Sequence, residues 1–243
     1  MIKNINQNLY CYLIPLFLGG ITSFSLPPYN FLIINFLTFP LLLLYLIKVQ
    51  KKNSVWLNFS IGWFFGIGYF FSNIYWVVYS LTFEDIFKPL IPIALVLVPT
   101  FLGLFYGIAT FLISQFKLKG NFSSILIFSL IFSLIEYFRG FVLGGFPWNL
   151  IVYSWTEYLN SLQILSLIGT YSFNLISITI FLFPLVIYFK KKIKSKSILF
   201  VFLLLILFSS HFYGYQKIIN NNKFHNEFND FKIKIISPKI SIE

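Results

Sequence analysis

Seven apolar runs, at about 9–26, 31–47, 55–81, 90–114, 122–138, 162–189 and 197–213, leave this 243-residue chain few folds to choose from. Most approach or exceed the ~20 residues that an α-helix needs to cross a bilayer. Inside hydrocarbon every backbone amide needs an internal partner, so a spanning segment is either a helix or part of a closed barrel. The runs are continuous and do not alternate with a period of two, which argues against barrel strands. Only 10% of the residues are charged, where a soluble domain of this size carries about 25%. The expectation is an all-α polytopic membrane protein. About seven transmembrane helices fill residues 1–214, and a short extended tail follows over 215–243.

Charge then orients the bundle. The net charge of +11 is no nucleic-acid footprint, because the lysines sit in short clusters between apolar runs. Lys48, Lys51 and Lys52 follow the second run, Lys117 and Lys119 the fourth, and Lys190, Lys191, Lys192, Lys194 and Lys196 the sixth. With Lys3, they all fall on one side if every run crosses. The opposite loops hold Lys88 and Arg139 against Glu84, Asp85 and Glu157. The positive-inside rule therefore places the N-terminus in the cytoplasm and the C-terminal tail outside. The start from Met1 to Gly20, a basic residue and then an apolar stretch, resembles a signal peptide but leads to no small-x-small cleavage site, so an uncleaved first helix is expected.

Local breaks refine the pattern. Pro27-Pro28-Tyr29-Asn30 predicts a tight turn after the first run, since proline removes a donor and asparagine tolerates turn geometry. Pro40, Pro92, Pro99 and Pro184 fall inside runs and predict kinks. Gly62, Gly66 and Gly68 offer a small face suited to close helix packing or, with Ser72, Asn73 and Ser80, to lining a lipid path. Asn220-Asn221-Asn222 reads as a polar linker. The alternation in Phe231–Ile240 has the period of a half-buried strand.

Cys11 is the only cysteine, so no disulfide within the chain is possible, and it reads as a small buried hydrophobe. His211 and His225 stand alone without a second ligand at metal spacing, so no metal site and no cofactor are expected.

The most informative stretch runs from Ile135 to Trp148, IEYFRGFVLGGFPW. Glu136 and Arg139 lie one helical turn apart at the outer end of the fifth run. Ionisable groups at membrane depth are costly and either pair or serve a function. One reading has Arg139 gripping a phospholipid phosphate while Glu136 orients it; the other is a mutual ion pair anchoring the helix end. Gly140, Gly144 and Gly145 permit a tight loop. Phe146, Pro147, Trp148, Tyr153 and Trp155 place large rings at the outer interface, either as an aromatic belt or as a lipid-binding rim.

These residues resemble the apolipoprotein N-acyltransferase family. Glu136, Arg139, Gly140, Gly145, Phe146, Pro147, Trp148 and Tyr153 are similar to its E-x-x-R-G…G-F-P-W…Y stretch, and the glycine-rich run through Ile74, Trp76 and Ser80 to its G-x-x-x-G…I-x-W-V-x-x-S helix. Phe24-Ser25 with Pro28-Tyr29 resembles its FSPY turn, with Leu26-Pro27 added. Phe231–Ile240 resembles the first strand of its nitrilase-like domain, with Ser237 in place of the usual glutamine.

The resemblance implies a membrane enzyme that moves an acyl chain from a phospholipid donor to the N-terminal diacylglyceryl-cysteine of a lipoprotein acceptor. In that family a Glu–Lys–Cys triad on the nitrilase-like domain forms a thioester, dividing one hard transfer into two easier ones. No residue of this chain matches the triad, so none is assigned as catalytic. Glu136, Arg139, Gly145, Phe146, Pro147, Trp148, Tyr153 and Trp76 are the candidates for lipid or substrate binding. The resemblance further implies a membrane domain, inactive alone, that is truncated or works with a separately encoded nitrilase-like half. The alternative is a non-catalytic lipid-binding or scaffold protein descended from the same family.

Overall fold

Helix, and no strand, makes up the secondary structure of the described residues, as the apolar runs require. The computed structural model describes residues 2–52, 54–145, 147–189 and 193–225. Ten α-helices follow in order among these: α1 Ile2–Ser23, α2 Asn35–Val49, α3 Val55–Ile74, α4 Ile91–Gln115, α5 Phe122–Arg139, α6 Leu159–Leu162, α7 Leu165–Ile168, α8 Thr170–Phe181, α9 Phe183–Phe189 and α10 Ile193–His225. Five segments among the described residues are long and apolar enough to cross a bilayer: Leu32–Val49, Val55–Thr82, Asp85–Gln115, Phe122–Arg139 and Thr170–Phe189.

Side-chain oxygens start two of these helices. Ser54 Oγ accepts from the Leu57 amide and Asn121 Oδ1 from the Ser124 amide, each satisfying a donor that the first turn leaves open. Proline acts in three ways. Pro92 sits in the first turn of α4, where a missing N–H costs nothing, and Pro40 and Pro99 are carried inside helices. Pro184 follows the break at Leu182, which divides α8 from α9.

The sixth apolar run is not one helix. Gly169, at φ +77°, separates α6 and α7 from the spanning segment Thr170–Phe189. The third run likewise leaves α-helix at Ile74 and continues as a 3-10 helix, Tyr75–Thr82. With a second 3-10 helix, Asp85–Leu90, it forms an apolar hairpin on which Phe83 and Ile86 are exposed. Asn220, Asn221 and Asn222, expected as a linker, lie within α10. Asparagine costs a helix only a few tenths of a kcal/mol, and no proline interrupts the chain between Pro184 and Pro238. The strand expected at Phe231–Ile240 lies outside the described residues.

α3 is the hub, packing along both α4 and α1. The glycine face makes this possible. A Cβ built on Gly62 would stand 2.0 Å from the Tyr106 carbonyl oxygen, and one on Gly66 would stand 2.6 Å from Gly103 Cα. Gly68 turns the other way and meets the Leu16 carbonyl at 2.0 Å. Backbones that close gain dispersion contacts, which drive helix association where lipid is as apolar as the core. Rings fill the centre: Phe39 packs against Phe65, Phe128, Phe132 and Phe181, and Tyr106 against Phe132 at 4.5 Å.

Loops collect at two ends. At one, the Gln50 side chain donates to the Leu118 carbonyl at 2.6 Å and accepts from its amide, and Phe189 lies against Gly120. This end carries Lys48, Lys51, Lys117 and Lys119. At the other, Asn30 donates to Glu157 at 2.6 Å and the Tyr69 hydroxyl donates to the Asn149 carbonyl at 2.9 Å. Among the described residues, the loops that carry Lys48 and Lys51, and Lys117 and Lys119, therefore share one end.

Candidate functional site

At the lysine-poor end, α5 delivers Glu136 and Arg139 on its last turn, Arg139 being its final residue, and both are almost completely buried. Their closest charged atoms, Arg139 Nη2 and Glu136 Oε1, stand 3.6 Å apart. The carboxylate is held from several sides. The Tyr106 hydroxyl donates to Oε1 at 2.7 Å and the Asn174 amide to Oε2 at 2.5 Å, while the Ile151 backbone faces the same group. A buried carboxylate is tolerable only with such partners. Glu136 thus joins α4, α5 and α8.

Arg139 carries the network into the loop. Its Nη1 donates to the Trp148 carbonyl at 3.0 Å, and its guanidinium lies over the Phe70 ring at 5.1 Å. A planar cation can bond at its edge and stack on its face at once; an ammonium cannot. Asn174 closes the loop from below, its Oδ1 accepting the Val152 amide at 2.8 Å. From Trp148 to Val152 the backbone is therefore pinned by Arg139, Tyr69 and Asn174 in succession.

The glycines let the chain turn into this position. Gly145 has φ +77°, and a Cβ on it would lie 2.2 Å from the Gly140 carbonyl oxygen, so both its conformation and its space demand glycine. Gly144 shares the positive φ, at +86°, but faces open space.

Of the rings expected at the rim, Trp148 is exposed and stacks on Trp76, with centroids 5.1 Å apart and planes 19° from parallel. Pro147 and Tyr153 are half-buried. Burial, reinforced by Tyr171, pushes the Tyr153 phenol up, so it stays a protonated donor. Phe146 lies outside the described residues. Trp155 departs from the expectation: it is 5% exposed, stacked on Phe181 and packed against Phe173. Its 3-10 helix, Ile151–Trp155, folds back onto α8, so the aromatic sequence there is core.

Beside this loop is a cavity of ≈ 320 Å³, lined by Leu97, Phe101, Phe105, Arg139, Val142 and Gly145 among others. The site thus combines a buried charge network, an exposed tryptophan pair and an apolar recess. The sequence reading missed Tyr106, Asn174, Tyr69 and Phe70. A hydroxyl and an amide within spanning helices are the available signal, because polar groups at that depth are expected to find partners. Among the described residues no group of three or more His, Cys, Asp or Glu side chains could hold a metal ion.

Comparison with known proteins agrees with this arrangement. Residues 18–183 match the apolipoprotein N-acyltransferase N-terminal domain. The chain is 33% identical over 178 residues to the apolipoprotein N-acyltransferase of Rhodopseudomonas palustris, covering 72% of this chain and 33% of that protein. It is 30% identical over 173 residues to that of Brucella melitensis, covering 68% and 32%, and 30% identical over 179 residues to that of Rhizobium rhizogenes, covering 71% and 33%. The match spans about a third of these relatives' length. The charge-clamped loop, the glycine-packed helices and the matched region together make this chain a multi-pass membrane protein of the apolipoprotein N-acyltransferase family.

Proposed function

We propose that these 243 residues form the membrane-embedded part of an apolipoprotein N-acyltransferase and admit its two lipid substrates, a phospholipid acyl donor and a lipoprotein acceptor. The observation that carries this reading is the clamped loop. Glu136 and Arg139 hold the Trp148 backbone, and Trp148 stacks on Trp76 at the rim. Of the two roles considered for Arg139, the geometry favours the indirect one: it positions the rim, and the recess along Leu97 and Phe101 receives an acyl chain. Rigid aromatic surface beside an apolar recess suits an acyl ester at the water–lipid boundary.

In this reading the site faces away from the cytoplasm across the inner membrane, with the lysine-rich end inside, and the chain crosses seven times. The thiol chemistry belongs to polypeptide other than these residues, in the same protein or in a separately encoded nitrilase-like partner. Cys11 supports this: it lies about 18 Å along α1 from the end at Ser23 that adjoins the site. The second reading, a lipid-binding scaffold without catalysis, shares the rim and differs in outcome.

Complementation separates them. Cells depleted of their N-acyltransferase are given this chain alone or with a nitrilase-like catalytic module, and N-acylation of a lipoprotein is read by mass spectrometry. The proposal expects acylation only when both are present. Acylation by the chain alone overturns the external thiol, and none with either combination favours the scaffold.

A further inference from the structure

The last helix among the described residues stands apart from the bundle it belongs to. α10 meets α6 closely at Gly214, where a Cβ would lie under 2 Å from the Asn160 carbonyl oxygen. Away from that contact it diverges from α5 and α8. Two cavities, ≈ 470 and ≈ 360 Å³, occupy the divergence and share Ile176, Ile180 and Ile206 in their walls, so they adjoin end to end as an apolar cleft. Along α10 the cleft runs from Tyr213 to Phe202, about 17 Å at 1.5 Å per residue. That is close to half of the ~30 Å hydrocarbon core, the depth of one leaflet.

A cation stands at the mouth. Lys217, one turn beyond Tyr213, is half-buried, donates to Ser166 Oγ and lies 5.8 Å above the Tyr213 ring. Ser166 and Tyr213 hydroxyls approach to 3.5 Å. Among the described residues no carboxylate lies within ion-pair distance of Lys217. A half-buried ammonium with hydroxyls beside it, and no carboxylate in reach among the described residues, suits a phosphate oxygen.

We infer that the cleft between α10 and the α5–α8 face holds a resident glycerophospholipid, its phosphate on Lys217, Ser166 and Tyr213 and one acyl chain running between Ile176 and Ile206. Depth and charge fit together: the cation lies one turn above the apolar slot, as a phosphate lies above its chain. The bound lipid fills the gap that α10 leaves and seats it against the bundle. This depends on the membrane fold alone and not on acyl transfer, since the cleft shares no lining residue with the recess at Arg139.

The 243-residue chain in vesicles of zwitterionic lipid, doped with nitroxide-labelled phosphatidylglycerol, tests this by electron paramagnetic resonance. A motionally restricted component is expected. Lys217→Gln should weaken it about fivefold, the worth of one lysine near an anionic headgroup, and Lys217→Arg should retain it. Ile176→Trp, which fills the slot and leaves the cation, should remove it. Reaction of Lys217 with an acylating reagent gives the second readout: labelled lipid should protect the amine, and inorganic phosphate alone should not. Equal restriction in Lys217→Gln, Ile176→Trp and the native chain, or full protection by inorganic phosphate, overturns the site.

Discussion

Asn174 and Glu136 meet at 2.5 Å across the α5–α8 interface, and the Asn174 carbonyl oxygen simultaneously takes the Val152 amide at 2.8 Å. One amide side chain thus satisfies a buried carboxylate on one face and a loop backbone on the other. Asn174→Leu keeps the volume, leaves the Val152 amide unpaired and takes from Glu136 Oε2 its Asn174 donor, although Tyr106 and Arg139 still hold Oε1. Each buried orphan costs about 1–3 kcal/mol, so a loss of about 2–4 kcal/mol is expected, read as a lowered thermal midpoint in detergent. Hydrogen exchange should rise at Val152 and stay unchanged in α1.

The Glu136–Arg139 pair should behave as a unit. Removing one member of a buried pair costs about 3–5 kcal/mol because the other is left uncompensated. Glu136→Gln and Arg139→Gln are each expected to destabilise on that scale, and the double variant by clearly less than their sum. Arg139→Lys should resemble Arg139→Gln, since an ammonium cannot reach the Trp148 carbonyl while lying flat on Phe70. Additive losses in a thermal-unfolding double-mutant cycle would refute the coupling.

Adjacent glycines provide an internal control. Gly144 and Gly145 both have positive φ, but only Gly145 abuts the Gly140 carbonyl. Gly144→Ala should carry the conformational strain alone, about 1–3 kcal/mol. Gly145→Ala adds a clash with rigid backbone and should displace the loop, separating Trp148 from Trp76. Near-ultraviolet circular dichroism reports that pair; its signal should survive Gly144→Ala and fall in Gly145→Ala.

Much of this was legible in the chain, and the limits have physical causes. Apolar runs located the helices at 31–47, 90–114 and 122–138 because burial in lipid needs only length and greasiness. Helical breaks were harder. Gly169 and Ile74 interrupt runs that hydropathy alone reads as continuous, because a change of backbone geometry leaves the apolar count unaltered. At the site, Glu136 and Arg139 stood out as charges in an apolar setting. Their partners did not, since Tyr106 and Asn174 come from helices 30 and 38 residues away and only packing brings them together. Trp155 was assigned to the rim because sequence cannot tell a ring in the core from one at an interface.

The glycine face of α3 yields the last prediction. Gly66 and Gly103 touch through their backbones, so any side chain at Gly66 must push α4 outward. The shift would not stay local. Tyr106 lies one turn along α4 from Gly103, and its hydroxyl reaches Glu136 from there at 2.7 Å. Moving α4 by even 1 Å stretches that bond beyond good geometry. Gly66→Ala is therefore expected to lower stability and to loosen the loop at Trp148, although nothing at Gly66 touches the loop. Hydrogen exchange at Asn149–Val152 should rise in Gly66→Ala, whereas Gly20→Ala should leave it unchanged: Gly20 packs on α3 with an ordinary 3.5 Å contact to Ser72. Equal exchange in the two variants would show that the helix contact and the charge network are independent.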